Sequence, residues 1–318
     1  MTVPLRWCQG SPLPVSARRY AQPVPGAGRM SEAQLGDVVA RAIADGLARL
    51  VEGEALVRQD NNNPRGVHQT RVATRRLRSD LRTFRVALDT QWAAELRTEL
   101  GWLGGVLGAA RNADVLQQRL TERGKALPPG SAAGVKEAMT ALAEHRARAH
   151  AALLDALGSE RAHILIGRLV EAEQAPPLAG EADRPASIAL PRIVRGAYKA
   201  LDRGVRSLAD PPSDAELHAV RIRAKRCRYA AEACAPALGK PARRLARAAE
   251  ALQEALGELS DAVAAEQWLR DFSQQAGSSA GAFAAGELAV LEQAAAFRAR
   301  SRWPKAWSAV KAASPSKG

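Results

Sequence analysis

The chain has 318 residues, of which 47% are hydrophobic and 4% aromatic, and it carries a formal net charge of +13 with a pI near 10.4. Such a length can bury one large core or two ordinary ones, so disorder over most of the chain is not expected. The abundance of Ala, Leu and Arg and the scarcity of β-branched runs predict an all-α fold. The charge predicts a polyanionic partner, which could be nucleic acid, an anionic membrane or another phosphate-rich polymer.

Cysteine usage and hydropathy indicate the cellular compartment in which the protein folds. Cys8, Cys227 and Cys234 show no metal-ligand spacing and are too few to cross-link a chain of this size, which favours a reducing environment. Cys227 and Cys234 lie seven residues apart, on one face of a continuous helix, and we expect two buried thiols. No apolar run approaches the roughly 18 residues of a membrane-spanning helix, and the N-terminus lacks a secretory apolar core. We therefore expect a cytoplasmic protein with no membrane partner.

Proline and glycine divide the chain into a tail and two helical domains. Residues 1–30 are rich in Pro, Gly and Arg without a period, which predicts either a disordered N-terminal tail or sequence upstream of a translation start at Met30. Two helical-bundle domains are predicted over residues 31–178 and 185–312, with a proline-marked junction between them.

The two domains repeat one basic motif. The segment HQTRVATRRLR, which starts at His68, matches HAVRIRAKRCR, which starts at His218, in the histidine and four basic positions at an offset of 150. Downstream, LGAARNA from Leu107 matches LGELSDA from Leu256 at an offset of 149. Each half has room for about four helices, so the sequence predicts two antiparallel four-helix bundles that are related by a pseudo-twofold axis.

Each motif predicts a helix with one basic face and one apolar face. At about 100° per residue, the basic positions of each helix fall within roughly 80°, and Ala73, Leu77 and Phe84 lie opposite them on the first helix. The basic positions are His68, Arg71, Arg75, Arg78 and Arg82 in the first stripe, His218, Arg221, Lys225 and Arg228 in the second, and Arg192, Arg195, Lys199, Arg203 and Arg206 in a third stripe just upstream of the second.

An ordinary solvated helix face is the simpler explanation of a charged run, but the composition argues against it. Solvated faces mix both signs because opposite charges four residues apart stabilise a helix by about 0.2–0.5 kcal/mol and like charges destabilise it by as much. Residues 65–85 hold seven Arg and a single acid, Asp80. One arginine per turn repeats every ~5.4 Å and suits bidentate phosphate contacts, so the helices indicate a linear polyanionic ligand.

HQTRVATRRLR and HAVRIRAKRCRY, each followed by an LG-x-x-x-(D/N)-A block, resemble the two repeat signatures of the CHAD domain family over residues 31 to about 312. The resemblance implies two four-helix bundles with pseudo-twofold symmetry and a basic cavity or groove that binds inorganic polyphosphate, in proteins associated with polyphosphate granules. The positions that match the family's basic motif are His68, Arg71, Arg75, Arg76, Arg78, His218, Arg221, Lys225, Arg226 and Arg228. Arg82 and the third stripe are added from helical geometry.

The first downstream block departs from the family pattern. Where the family usually has Arg-Asp, this chain has Arg111-Asn112, whereas the second half keeps Asp261. A carboxylate that could orient a neighbouring arginine is therefore missing in the first half. Asp114, two residues further on, is the candidate replacement.

The histidines and glycines suggest no metal site, cofactor or enzyme. His68 and His218 lie in cationic stripes without nearby acids or cysteines, so we expect them to donate hydrogen bonds to phosphate, with a strength that depends on pH, and to bind no metal. Gly101 and Gly108 belong to a glycine-rich stretch that lacks a following GK[ST], and close helix packing explains it better than a phosphate loop. No nucleophile and base pairing is recognisable, so a non-catalytic protein is expected.

Nonspecific nucleic-acid binding is the main alternative. It would use the same phosphate contacts, but single-strand binding usually adds stacking aromatic side chains, and the basic helices carry only Phe84 and Tyr229. Granule proteins are a further class of partner that is compatible with polyphosphate. The sequence therefore predicts polyphosphate binding, with nucleic acid as the less favoured ligand.

Overall fold

In the computed structural model, which describes residues 33–59 and 64–315, the protein is all-α. The predicted tail over residues 1–30 lies outside the described residues. The helices of the first half are α1 (Leu35–Gln59), α2 (Pro64–Thr83), α3 (Thr90–Gly124), α4 (Ala132–Gly158) and α5 (Glu160–Gln174). Those of the second half are α6 (Ala186–Arg206), α7 (Asp214–Leu238), α8 (Lys240–Gln275), α9 (Ser279–Arg300) and α10 (Trp303–Ala312).

The basic helix α7 begins with a complete capping box. The Ser213 hydroxyl accepts from the Glu216 backbone N–H at 3.3 Å, and the Glu216 carboxylate accepts from the Ser213 backbone N–H at 2.8 Å. Together these bonds satisfy donors that a bare helix start leaves unpaired. The helix ends at Gly239, whose φ of 69° lies in the left-handed region that favours glycine. The helix therefore begins directly after Pro211, Pro212 and the Ser213 cap.

The helices pack in the same order in both halves. Consecutive helices from α1 to α4 are neighbours, and so are consecutive helices from α6 to α9. A further short helix completes each half, because α5 packs on α1 and α4, and α10 packs on α8. The halves meet mainly where α2 packs on α7 and α4 packs on α9. The exact pseudo-twofold relation and the internal repeat stay predictions.

The core consists mostly of leucine and alanine. Leu77, Leu81 and Phe84 of α2 are at most 1% exposed, which confirms that the face opposite the basic stripe is buried. Each buried leucine contributes about 2 kcal/mol from the removal of its apolar surface from water. Cys227 and Cys234 are buried free thiols, as expected, and burial raises the pKa of each to about 12.

Hydrogen bonds to a buried carboxylate join the first half to the second. Glu292 of α9 is fully buried and accepts hydrogen bonds from Arg119 at 2.7 Å and Arg123 at 3.0 Å, both on α3. Arg119 also donates to Glu258 of α8 at 2.9 Å, and these acids raise its pKa against the effect of burial. At the neighbouring α4–α9 contact, a Cβ on Gly134 would lie 2.6 Å from the Ala280 carbonyl carbon, so a side chain there would separate the helices.

Candidate anion-binding site

The two predicted basic helices contact each other, and their cationic side chains come together. The charge of Arg221 on α7 lowers the pKa of Arg71 on α2. The charges of Arg75 and Arg71 in turn lower the pKa of Lys225 on α7. Arg111 of α3 joins the same group, because it lowers the pKa of Arg71 and His68. We call this group the Lys225 cluster, and it comprises His68, Arg71, Arg75, Arg111, His218, Arg221 and Lys225.

The Lys225 cluster is a half-buried concentration of positive charge. Burial, with Arg221 and Arg75 next in effect, lowers the pKa of Lys225 from 10.5 to about 7. Burial also lowers the pKa of Arg71 and Arg221, and neighbouring cations add to it. Asp261 of α8 is the carboxylate that opposes these shifts. The attraction of an anion placed among these groups would offset both the cost of burying the charges and their mutual repulsion.

The two motif histidines lie at the exposed margin of the cluster. Burial of the ring lowers the pKa of His68, and Arg111 and Arg75 lower it further. The pKa of His218 is lowered in the same way by burial, Arg221 and Lys225. Both rings are therefore mainly neutral at pH 7, and a bound polyanion would raise the pKa of each.

Glycines of α3 and α8 lie beside two of the arginine side chains. A Cβ on Gly108 would lie 4.0 Å from Arg71 Nε, and a Cβ on Gly257 would lie 3.5 Å from an Arg221 guanidinium nitrogen. The two glycines occupy matching positions of the predicted repeat. Close helix packing was the expected role of the α3 glycines, and the atom found within 4 Å of a Cβ on Gly108 is the guanidinium nitrogen of Arg71.

The missing carboxylate of the first half is not replaced by Asp114. Arg71 instead donates to the Asn112 side-chain oxygen at 3.5 Å. Asp114 is buried, accepts from Arg146 Nε at 2.7 Å and lies 2.9 Å from His150 Nε2, both on α4. The expectation was wrong because two residues along an α-helix turn the side chain by about 200°, toward the opposite face. Among the described residues, the carboxylate that acts on the cluster is therefore Asp261, on the side of α7 and α8.

Two motif arginines are held by the protein's own carboxylates. Arg76 of α2 pairs with Asp80 at 3.1 Å and with Glu232 of α7. Arg228 of α7 pairs with the same Glu232 at 2.6 Å and with Glu250 of α8 at 2.7 Å. Arg76–Asp80 and Arg228–Glu232 are pairs four residues apart on one helix, whereas Glu232 is 156 residues away from Arg76 in sequence, so helical spacing could not predict the contact between the two helices. A part for Arg76 and Arg228 in ligand binding stays a prediction.

Tyr229 of α7 links the paired arginines to the Lys225 cluster. The guanidinium carbons of Arg75, Arg76 and Arg228 lie 5.4, 5.7 and 5.8 Å from the centre of its ring. The Tyr229 hydroxyl is buried without a hydrogen-bond partner among the described residues, and the same holds for Nε of Arg75 and Arg221. Unused buried donors next to a cationic cluster are suited to an anion.

The third predicted stripe lies on α6. Arg192, Lys199 and Arg203 are exposed there, Arg195 is half-buried, and Arg206 pairs with Asp202 at 3.0 Å. The pKa shifts of the Lys225 cluster arise from groups on α2, α3, α7 and α8. The contribution of α6 stays a prediction.

Arg82 and Arg226, which were predicted as site residues, lie in a second group of arginines. The charges that lower the pKa of Arg226 include Arg82, Arg78 and Arg97. Arg97 of α3 carries no part of the repeated motif, and helical-wheel reasoning could not detect it. Its position beside α2 results from the packing of α3 on α2.

Fold and charges together define an all-α protein whose halves meet through two basic helices. A family model described as the CHAD domain matches residues 41–270, and the chain belongs to the CHAD domain family. Two uncharacterized proteins of Mycobacterium tuberculosis, from strains CDC 1551 and H37Rv, are each 34% identical over 238 residues, which are 73% of this chain. The chain spans only 45% of the length of these relatives.

Two solved structures share the fold. The CHAD domain from the plant Ricinus communis is 28% identical with a TM-score of 0.68, over 92% of this chain and 96% of that one. PptA from Streptomyces chartreusis is 24% identical with a TM-score of 0.74, over 87% of this chain and all of that one. The all-α architecture expected from the sequence is confirmed.

A membrane or a metal ion would each need its own structural features within residues 33–59 and 64–315. No helix there is long and apolar enough to cross a membrane. Within the same residues, no three His, Cys, Asp or Glu side chains converge in a group that could hold a metal ion.

Proposed function

We propose that the protein binds inorganic polyphosphate, without catalysis, on the cationic surface that α2 and α7 form together. The observation that carries the proposal is the Lys225 cluster, in which burial and like charges lower the pKa of a lysine to about 7. Folding keeps these groups together against their repulsion, which a polyanion offsets. Membership of the CHAD domain family supports the same ligand.

The spacing of the cations favours a linear, unbranched polyanion. Basic residues recur once per turn on both helices, so the positive charge repeats about every 5.4 Å along each axis. Phosphate groups accept bidentate bonds from arginine, and a long chain can satisfy many of them at once. Release of counterions from the polymer would then supply much of the affinity.

The proposed contacts comprise the motif positions and the two geometric additions. They are His68, Arg71, Arg75, Arg76, Arg78, Arg82, Arg192, Arg195, Lys199, Arg203, His218, Arg221, Lys225, Arg226 and Arg228. The domain over residues 31–178 would contribute α2, and the domain over residues 185–312 would contribute α7 together with the basic stripe of α6. Location in the cytoplasm, at polyphosphate granules, and contacts with granule proteins follow from the same proposal.

Charge reversal at two positions tests the function. The R75E/R78E variant should lose measurable polyphosphate binding by calorimetry at several salt concentrations, while its helical content stays unchanged. The R243E/R244E variant is a matched control, because it makes the same change in net charge at exposed positions at the start of α8. Retained affinity in folded R75E/R78E would contradict the proposal, and so would an equal loss in the control.

Competition with duplex DNA tests the alternative ligand. Phe84 and Tyr229 are 1% and 6% exposed, so neither aromatic ring of the basic helices offers a stacking surface to a base. We expect polyphosphate to remain bound when duplex DNA is added at the same concentration of phosphate in moderate salt. Displacement at equal phosphate concentration would favour nonspecific nucleic-acid binding.

A further inference from the structure

A second group of basic side chains lies beside the same two helices. Arg97 of α3 is close enough to Arg78, Arg82 and Arg85 for their charges to lower its pKa, after burial as the largest cause. The pKa of Arg226 on α7 is lowered by burial and then by Arg82, Arg223, Arg78 and Arg97. We call this group the Arg97 cluster, and it comprises Arg78, Arg82, Arg85, Arg97, Arg223 and Arg226.

Backbone contacts hold several of these arginines in place. The Arg78 guanidinium lies against α3, where a Cβ on Gly101 would be 3.3 Å from its central carbon. The Arg223 guanidinium lies against α6, where a Cβ on Gly204 would be 3.2 Å from its central carbon. Arg85 donates to the Arg82 carbonyl oxygen at 3.4 Å. The charges are therefore packed onto helix surfaces at defined places.

The two clusters differ in whether a carboxylate of the protein offsets their positive charge. No carboxylate is among the groups that shift the pKa of Arg97 or Arg226, whereas Asp261 acts on the Lys225 cluster. Within residues 33–59 and 64–315, no member of the Arg97 cluster is in an ion pair with an acid, and Arg97 Nε is buried without an acceptor. Arginine stays charged at any physiological pH, so this repulsion cannot be relieved by loss of a proton.

The two clusters follow each other along α2. Arg75 and Arg78 are separated by less than one helical turn, and Arg71 to Arg82 spans about 16 Å along the helix axis. A ligand that fills the Lys225 cluster alone can be short, but a ligand that also reaches the far end of the Arg97 cluster must be longer. A single long chain of phosphates can contact both clusters, so no second ligand molecule has to bind.

We propose that the Arg97 cluster is a second anion site, which continues the polyphosphate path and gives the protein its preference for long chains over short ones. This inference rests on the proposed function. Arg85, Arg97 and Arg223 then contact the ligand, although none of them belongs to the sequence motif. Long polyphosphate contacts both clusters, and tripolyphosphate occupies the Lys225 cluster, where lysine, tyrosine and unused guanidinium donors converge.

The test compares tripolyphosphate and long-chain polyphosphate on the wild-type protein and on R97Q/R223Q. We expect the variant to bind long chains at least about tenfold more weakly, with a salt dependence reduced by about two charges, and to bind tripolyphosphate as the wild type does. Because both removed charges act on Arg226, whose pKa they lower, the melting temperature of the variant should be equal to or above that of the wild type. R243Q/R244Q, which removes two exposed arginines of α8, should change neither affinity by more than about twofold.

The possible results separate the two proposals. A wild-type protein that binds no polyphosphate of any length would overturn the proposed function itself. Wild-type binding with an unchanged preference for long chains in R97Q/R223Q would overturn only the second site. An equal loss of affinity for both lengths would also overturn it, because the clusters would then act as a single site.

Discussion

Arg76 of α2 and Glu232 of α7 form an ion pair across the junction between the two halves. The same carboxylate pairs with Arg228 at 2.6 Å, so one acid engages two arginines of the family motif. Both guanidinium groups lie less than 6 Å from the Tyr229 ring, which Arg75 also contacts. Glu232 therefore acts as an internal anion next to the proposed path of the ligand.

Replacement of Glu232 by Gln should strengthen polyphosphate binding. The change removes one of the two carboxylates that hold each of Arg76 and Arg228, so we expect a several-fold higher affinity and a steeper salt dependence, measured by calorimetry. The melting temperature should fall, because the bond between α2 and α7 is lost. E254Q, which removes an exposed acid of α8, is the control and should leave both quantities near their wild-type values. Weaker binding in E232Q would show that Glu232 orients the arginines and does not compete for them.

Replacement of Lys225 by Met should stabilise the ligand-free protein and weaken its binding. The pKa of Lys225 falls from 10.5 in the unfolded chain to about 7 in the fold, so its charge opposes folding. The opposition is complete below pH 7, where the lysine is charged in both states, and decreases between pH 7 and 10.5, where the folded state has lost the proton. Thermal melts should therefore show the largest gain for K225M at pH 6 and a smaller one at pH 9. A destabilised K225M protein at pH 6 would contradict the assigned direction.

Polyphosphate binding should be tighter at pH 6 than at pH 8. Burial and neighbouring cations lower the pKa of Lys225, His68 and His218, and a bound polyanion raises the pKa of each, so binding takes up protons. Calorimetry at pH 7.5 in two buffers of different ionisation enthalpy should give different apparent enthalpies. The H68Q/H218Q variant should show a smaller uptake. Equal affinity at both pH values would remove these groups from the binding site.

A leucine at Gly108 should weaken binding by displacing Arg71. Arg71 Nε lies 4.0 Å from the place of a Cβ at Gly108, which is ordinary van der Waals contact, so we expect the larger branched end of a leucine to press against the Arg71 side chain. G105L is the matched control on the same helix, because a Cβ at Gly105 meets no atom within 4 Å. We expect a several-fold loss of affinity for G108L, unchanged affinity for G105L and folded circular dichroism spectra for both. Equal affinities of G108L and G105L would show that binding does not depend on the position of the Arg71 side chain against α3.

The sequence predicts those features that follow from local periodicity. The apolar faces of α2 and α7 and the start of α7 after Ser213 can be read from helical spacing and capping residues, since each depends on neighbours within a few positions. The Arg76–Glu232 and Arg228–Glu250 ion pairs and the Arg97 cluster could not be predicted, because their members lie on different helices. Glu232 is distant from Arg76 in sequence, and Arg97 reaches α2 only through the packing of α3.

The error at Asp114 has the same origin. Nearness in sequence suggested that it could replace the missing carboxylate beside Arg71, but direction around a helix decides which partner a side chain meets. Asp114 turns to Arg146 and His150 on α4. An asparagine is left to contact Arg71, while Asp261 remains beside Arg221.

The buried Glu292 has a consequence for how the protein meets its ligand. Its hydrogen bonds with Arg119 and Arg123 join α9 to α3, and the packing of α2 on α7 forms another part of the same junction between the halves. The cationic clusters are thus assembled when the chain folds, before any phosphate arrives. The binding site is therefore pre-organised. The flexible polymer adapts its conformation to the protein, and most of the conformational entropy lost on binding is lost by the polymer.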